Sequence, residues 1–452
     1  MTDINKISSI YFAGIGGIGM SALARCFNMR GVKVSGYDKT ETALTKKLVE
    51  EGIEIHYEDD VTLLNKNADV VVYTPAIPSN HKELNYFKEN NYMLLKRSDV
   101  LSLLTKDTFN ICVAGTHGKT TTSAMIAHIL KDSSFGCNAY LGGIAANYDT
   151  NFWKSENPVS VVEADEYDRS FLKLQPDVAI ITAMDADHLD IYGTAEKMED
   201  AFIEFSSKIK SNGCLILKHG LKRTNDFKIN DTRTYSLNDK DANIHVENLQ
   251  IKNGAYEFDV VNNYWTLKDV VLNMGGLHNI ENVIAAIAVA KYLKIQDEKI
   301  KSAVASFSGV KRRFEYIIKT PEVVFIDDYA HHPEELRALI TGAKELFPQK
   351  KCTVIFQPHL FSRTKDLADG FAEVLSLADE TLLMPIYPAR ELPIEGVTSE
   401  LILNKMTNKN KSIKRNTEVL EWLKNNKQEM LITAGAGDID ALVQPIKRII
   451  EN

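Results

Sequence analysis

Two glycine loops and two acidic clusters carry the residues able to do chemistry. Gly115-Thr116-His117-Gly118-Lys119-Thr120-Thr121-Thr122 stands between the apolar run Phe109 to Ala114 and the amphipathic segment Ser123 to Leu130. A strict Walker loop needs glycine at position 113, where Val113 stands, so this is a shortened phosphate loop. Its physics is unchanged. Successive backbone N–H groups cradle phosphate oxygens, Lys119 neutralises β/γ charge, and the Thr120 hydroxyl suits Mg²⁺.

The other glycine loop, Gly14-Ile15-Gly16-Gly17-Ile18-Gly19, follows the apolar Ser9 to Phe12, and Asp38 lies nineteen residues beyond Gly19. Glycines let a backbone approach a diphosphate on a helix N-terminus, and an acid at this distance takes a ribose hydroxyl. Gly14, Gly16, Gly17, Gly19 and Asp38 therefore mark a diphosphate site, open to NAD or a nucleotide sugar. Without a ligand they make a tight strand–helix turn.

Glu163-Ala164-Asp165-Glu166-Tyr167-Asp168 and Asp187-His188-Leu189-Asp190 each follow a short apolar run. Singly, each is a solvated turn. Together they stand at the carboxyl ends of neighbouring strands, where open α/β sheets bind ligands. His278, Asn279 and Asn282 open an otherwise apolar helix, with Asn279 as an N-cap and the three polar groups well placed for a base.

The elements that position these residues alternate. Short apolar runs separated by longer amphipathic ones predict an α/β protein with parallel sheets. At about 150 residues per domain, 452 residues make three. The breaks fall at the polar Leu104 to Thr108 and at Gly309-Val310-Lys311-Arg312-Arg313-Phe314, giving expected domains 1–107, 108–310 and 311–452. The Lys208 to Lys228 and Lys405 to Lys427 patches read as solvated faces.

A surplus of 61 acidic over 53 basic residues argues against nucleic acid as a partner. Five scattered cysteines, with no C-x-x-C pair, fit a reducing cytoplasm. Ile10 to Ala24 imitates a signal sequence, but the leader carries Asp3 as well as Lys6, and the spaced glycines suit a turn better. No stretch reaches the roughly 18 apolar residues of a membrane span.

Seven motifs occur in the order of a known family: G-I-G-G-I-G-M-S, G-T-H-G-K-T-T-T, E-A-D-E-Y-D, D-A-D-H-L-D, G-V-K-R-R-F-E, D-D-Y-A-H-H-P and Gln357-Pro358-His359. The chain resembles the Mur ligases, ATP-dependent amide-forming enzymes of peptidoglycan precursor synthesis, over essentially its whole length. Their combination looks most like the branch that joins L-alanine to UDP-N-acetylmuramate.

The resemblance implies an N-terminal Rossmann-like domain for the UDP-sugar, a central P-loop-type ATPase sheet for ATP and Mg²⁺, and a C-terminal Rossmann-like domain for the amino acid. It implies Lys119, His188 and Arg313 as catalytic residues, with Arg313 on the γ-phosphate. Thr120, Glu163 and His188 are the implied Mg²⁺ ligands. Gly115, Thr116, His117, Gly118, Thr121, His278, Asn279, Asn282 and Asp328 complete the ATP site, Asp328 on the ribose.

The chemistry so implied activates the lactyl carboxylate as an acyl phosphate, which the alanine amine attacks, releasing ADP and phosphate. Two unit charges about 4 Å apart repel by roughly 4 kcal/mol at an effective dielectric near 20. A carboxylate meeting a γ-phosphate therefore needs cations more than it needs a base.

Two departures stand out. Relatives commonly carry H-R-x-x-R after Gln-Pro, whereas this chain reads His359-Leu360-Phe361-Ser362-Arg363. Arg363 is then the expected alanine anchor, with Arg390 as a second cation and Tyr329 and His331 as further candidates. Several relatives hold a second metal on a carbamylated lysine. Asp200 to Phe205 contains no lysine, leaving Glu204 as either a carboxylate substitute or a helix-surface acid.

Alternatives are a recycling ligase that attaches a peptide to the same UDP-sugar, a non-catalytic binding paralogue, and an NAD-dependent oxidoreductase.

Overall fold

The structure, a computed structural model, describes residues 4–186, 189–389 and 391–451. His188 and Arg390 lie outside the described residues.

Three sheets succeed one another along the chain. The first contains β1 (Ser9–Ala13), β2 (Lys33–Tyr37), β3 (Glu54–His56), β4 (Val70–Tyr73) and β5 (Leu94–Lys96) in the order β3-β2-β1-β4-β5. All its pairings are parallel. Helices flank such sheets on both faces, which is why β1 is buried at every position and reads as continuous apolar sequence.

The second sheet is built on β6 (Phe109–Ala114), β7 (Asn138–Ala145), β8 (Thr150–Trp153), β9 (Val159–Glu163), β10 (Val178–Ile181), β11 (Cys214–Lys218) and β12 (Asp231–Ser236). It continues through β13 (Ile244–Lys252), β14 (Ala255–Asn262) and β15 (Trp265–Leu272). Its order, β15-β14-β13-β12-β11-β10-β6-β9-β7-β8, sets β6 between β10 and β9. The meander from β13 to β15 has no counterpart in the sequence reading. Its signal was there. Tyr256, Phe258 and Val260 alternate with Glu257 and Asp259, and Asn253-Gly254, both at positive φ, supply the hairpin turn.

The third sheet takes β16 (Glu315–Lys319), β17 (Val324–Asp328), β18 (Cys352–Phe356), β19 (Glu380–Leu383), β20 (Asn410–Ile413) and β21 (Met430–Ala434) in the order β16-β17-β21-β18-β19-β20. Only β16 runs antiparallel.

By packing, the chain forms two compact units: 1–246 with 260–267 and 281–304, and 247–259 with 268–280 and 305–452. The first sheet and strands β6 to β12 of the second share one unit, and the main core cluster runs from Ile10 and Phe27 through Val162 to Phe202 and Leu217. All five cysteines are free and buried. Among the described residues no helix is long and apolar enough to cross a membrane.

Candidate active site

In the first unit the phosphate loop follows β6, where strand order reverses between β10 and β9. Gly118 caps the helix Lys119–Asp132 at φ +81°, and a Cβ there would lie 2.6 Å from Asn282 Oδ1. Only glycine meets both constraints. Asn282 also accepts from the Thr122 hydroxyl at 3.1 Å, which places it beneath the loop. Thr116 N–H donates to Ala183 O at 3.2 Å, and the Thr116 hydroxyl accepts from Asp185 N–H at 3.2 Å. The His117 carbonyl accepts from the Thr182 hydroxyl, and Thr121 is buried. The loop is thus pinned from β10 and from the 277–292 helix.

Lys119 Nζ donates to Gly115 O and to Glu166 Oε1, both at 2.7 Å. Glu166 is fully buried, and burial raises its carboxyl above the ordinary range while Lys119 opposes the rise. Its Oε2 has no hydrogen-bond partner among the described residues. The sequence alone assigns Glu166 no role. Its only signal was an acid just past a buried strand.

Glu163, at the end of β9, accepts from the Thr120 hydroxyl at 3.0 Å through Oε1 and from Gly142 N–H at 3.0 Å through Oε2. The Thr120 hydroxyl and the Glu163 carboxylate are oxygen donors of the kind that could hold a hard cation. Among the described residues, Asp59, His81 and Glu83 also bring donor atoms within 4.8 Å of one another. That group anchors a helix instead. Asp59 accepts from Lys82 N–H and Glu83 N–H, and Glu83 accepts from the Tyr11 hydroxyl and contacts His56 Nε2 at 2.7 Å.

The first glycine loop turns directly from β1 into the helix Ile18–Met29, with Gly14 N–H donating to Tyr37 O at 2.8 Å and Gly17 as N-cap. Asp38 Oδ2 accepts from Gly16 N–H at 2.7 Å, so this acid shapes the loop itself. Glu204 pairs with Arg169 at 3.0 Å and Lys208 at 3.8 Å and is half exposed. Among the described residues this makes it a helix-surface acid.

The second unit contains the C-terminal candidates. His278 and Asn279 lie inside the helix Leu277–Tyr292. Asn279 is therefore not its N-cap, which corrects that expectation. Its side-chain amide donates instead to Gly275 O at 2.7 Å.

Asp328 accepts from Phe314 N–H at 2.6 Å and Ala330 N–H at 2.7 Å, pinning the linker that carries Arg313 to β17. Burial raises the Asp328 carboxyl to about 6, and the same cause raises neighbouring Asp327 to about 7 against the opposing pull of Arg312. The native state then binds more protons than the unfolded chain between about pH 4 and 7, so these acids cost stability as pH rises through that window. Asp327→Asn should gain stability relative to the wild type between pH 5 and pH 8, read by urea unfolding of the full chain. A stability difference independent of pH would mean an ordinary carboxyl.

Arg363 lies on the helix Phe361–Asp366, with Nη1 3.4 Å from His359 Nδ1. The missing arginine is Leu360, held at φ +69°. Burial, then Arg363 and His331, lower the His359 pKa, favouring its neutral form. His331 Nδ1 lies 2.9 Å from Tyr329 O, and the Arg312 guanidinium sits 5.1 Å from the Tyr329 ring centre. Arg363, His359, His331 and Tyr329 therefore form one neighbourhood.

Family models match along the chain: "Mur ligase family, catalytic domain" over 9–108, "Mur ligase middle domain" over 113–290 and "Mur ligase, glutamate ligase domain" over 312–439. The chain is 48% identical to the UDP-N-acetylmuramate–L-alanine ligase of Flavobacterium johnsoniae over 452 residues, covering 99% of each chain. It is 48% identical to the enzyme of that name from Parabacteroides distasonis, covering 99% of this chain and 98% of the other. Among solved structures, the UDP-N-acetylmuramate–alanine ligase of Thermotoga maritima aligns with a TM-score of 0.84 at 29% identity, covering 98% of both chains. A murein peptide ligase from Psychrobacter arcticus shares the fold at a TM-score of 0.66 and 23% identity, covering 98% of this chain and 99% of the other. With all three domain models matched in order and relatives aligned end to end, the chain belongs to the Mur ligase family.

Proposed function

We propose that this chain is the ATP-dependent, ADP-forming ligase that joins L-alanine to the lactyl carboxylate of UDP-N-acetylmuramate, a step of peptidoglycan precursor synthesis. The observation that carries the reading is end-to-end identity of 48% to relatives bearing that activity in their names. The recycling-ligase alternative has weaker support, since the murein peptide ligase aligns at 23% identity. The phosphate loop built around Lys119 argues against a non-catalytic paralogue, and an ATP site leaves NAD without a task. The cytoplasm, where ATP is supplied, is the proposed compartment.

Residues 1–107 would hold the UDP-sugar, 108–310 ATP and Mg²⁺, and 311–452 the amino acid. Lys119 exchanges Glu166 for phosphate oxygens when nucleotide binds. Thr120 and Glu163 hold Mg²⁺, with His188 the third ligand of this assignment. Mg²⁺ bound there supplies positive charge to the transferring phosphoryl group. Arg313 is assigned to the γ-phosphate, Asp328 to the ribose, and His278, Asn279 and Asn282 to the base.

Phosphate release with ATP, Mg²⁺ and UDP-N-acetylmuramate, while the amino acid is varied, tests the reading. ADP formation that requires L-alanine is expected; AMP formation would remove the reading.

Arg363 is the proposed alanine anchor, and one arginine can bind a carboxylate through two parallel hydrogen bonds. Arg363→Ala should raise the KM for alanine roughly tenfold or more, because charged hydrogen bonds are worth about 1.5–3 kcal/mol. Arg390→Ala should raise it less, and neither should change the KM for ATP. An unaltered alanine KM in the Arg363 variant would move the anchor to Tyr329 and His331.

A further inference from the structure

Arg97 opens the helix Arg97–Thr105 directly after β5. Its guanidinium lies against the first glycine loop. A Cβ built on Gly19 would come within 2.5 Å of Nη1 and 3.3 Å of Cζ, so a larger residue at 19 would displace the arginine. On the opposite side Nη2 donates to Asp165 Oδ2 at 3.1 Å.

A cavity of about 100 Å³ lies here, with Gly19, Arg97, Gly142, Glu163 and Asp165 on its polar wall and apolar side chains on the rest. Arg97 is the single cation among the described lining residues. Glu163, on that wall, touches Thr120 of the phosphate loop at 3.0 Å. The cavity therefore connects the diphosphate loop to the phosphate loop within one compact unit.

The one guanidinium on its wall selects the group that enters, because Arg97 already binds a carboxylate, that of Asp165.

We propose that Arg97 binds the lactyl carboxylate of the UDP-sugar, which takes the place of Asp165 and is thereby held facing the phosphate loop. The inference rests on the ligase reading above. Exchanging one carboxylate for another keeps the guanidinium neutralised throughout. A bidentate arginine pair also fixes which carboxylate oxygen faces the phosphate. Asp165 guards the empty site against other anions.

Calorimetry on the full-length protein with two ligands tests this. UDP-N-acetylmuramate carries the lactyl group, and UDP-N-acetylglucosamine lacks it. Arg97→Gln should weaken UDP-N-acetylmuramate about tenfold or more while changing UDP-N-acetylglucosamine less than about twofold. Retained binding of the second ligand also reports an intact N-terminal fold. Arg97→Lys should recover part of the loss, and the KM for ATP should stay unchanged in both variants.

Asp165→Asn, which removes the competing anion, should bind UDP-N-acetylmuramate at least as tightly as the wild type. Equal loss of both ligands in Arg97→Gln would assign the arginine to the diphosphate and overturn the proposal. So would unchanged binding of both, or weaker binding in Asp165→Asn. Failure of the ligase reading has a different signature, in which the wild type itself makes no alanine-dependent ADP.

Discussion

Lys119→Ala is expected to abolish ligation while leaving UDP-sugar affinity within about threefold of the wild type. Nζ has two partners in the structure, the carbonyl of Gly115 and the carboxylate of Glu166. Both would be exchanged or shared when phosphate arrives, and Lys119 is the only lysine or arginine of the loop. Loss of the amine leaves phosphoryl transfer without its nearest fixed cation. The glycine loop at 14–19 is built on another sheet, so its diphosphate contacts should persist.

A second consequence separates catalysis from structure. The pair is nearly dry, with side-chain exposures of 14% for Lys119 and 0% for Glu166. Removing one partner of such a pair costs about 3–5 kcal/mol, because the other charge stays buried alone. Lys119→Ala should therefore also unfold more readily. Adding Glu166→Gln should restore much of that stability and none of the activity. Calorimetry with UDP-N-acetylmuramate, beside thermal unfolding, reads both effects. Collapse of UDP-sugar affinity in the double variant would contradict the division of labour between the two loops.

Glu163→Ala is expected to raise the Mg²⁺ concentration needed for half-maximal turnover roughly tenfold or more, and to lower turnover at saturation. One carboxylate oxygen meets the Thr120 hydroxyl and the other the Gly142 amide, so truncation removes a proposed metal ligand and a loop contact together. Glu163→Gln distinguishes the two. It retains an oxygen of the same reach but loses the charge that Mg²⁺ selects. A magnesium titration of turnover should place the glutamine variant near the alanine one. Magnesium dependence unchanged from the wild type in both would return Glu163 to a structural role on the loop.

Local rules settled much of this protein. Buried parallel strands are largely apolar runs, so Phe109–Ala114 was legible from the sequence to the residue. The phosphate loop was equally legible, because a left-handed Gly118 before Lys119 and Thr120 is a local demand of the backbone. Seven motifs in order carried the family.

Contacts between distant segments were not legible, since neither periodicity nor spacing encodes them. Nothing local links Arg97 to Asp165, Lys119 to Glu166 or Asn282 to Gly118; each pair meets only because strand order brings β5, β6, β9 and the 277–292 helix together. The same holds for Asp38 and Asp328, which the structure shows bonded to loop and linker amides, and for Glu204, which turns outward to Arg169. Residue type and spacing determined which groups could do the chemistry. Tertiary structure decided which of them are already neutralised by a neighbour, because burial and pairing depend on what the rest of the chain brings to within about 3 Å.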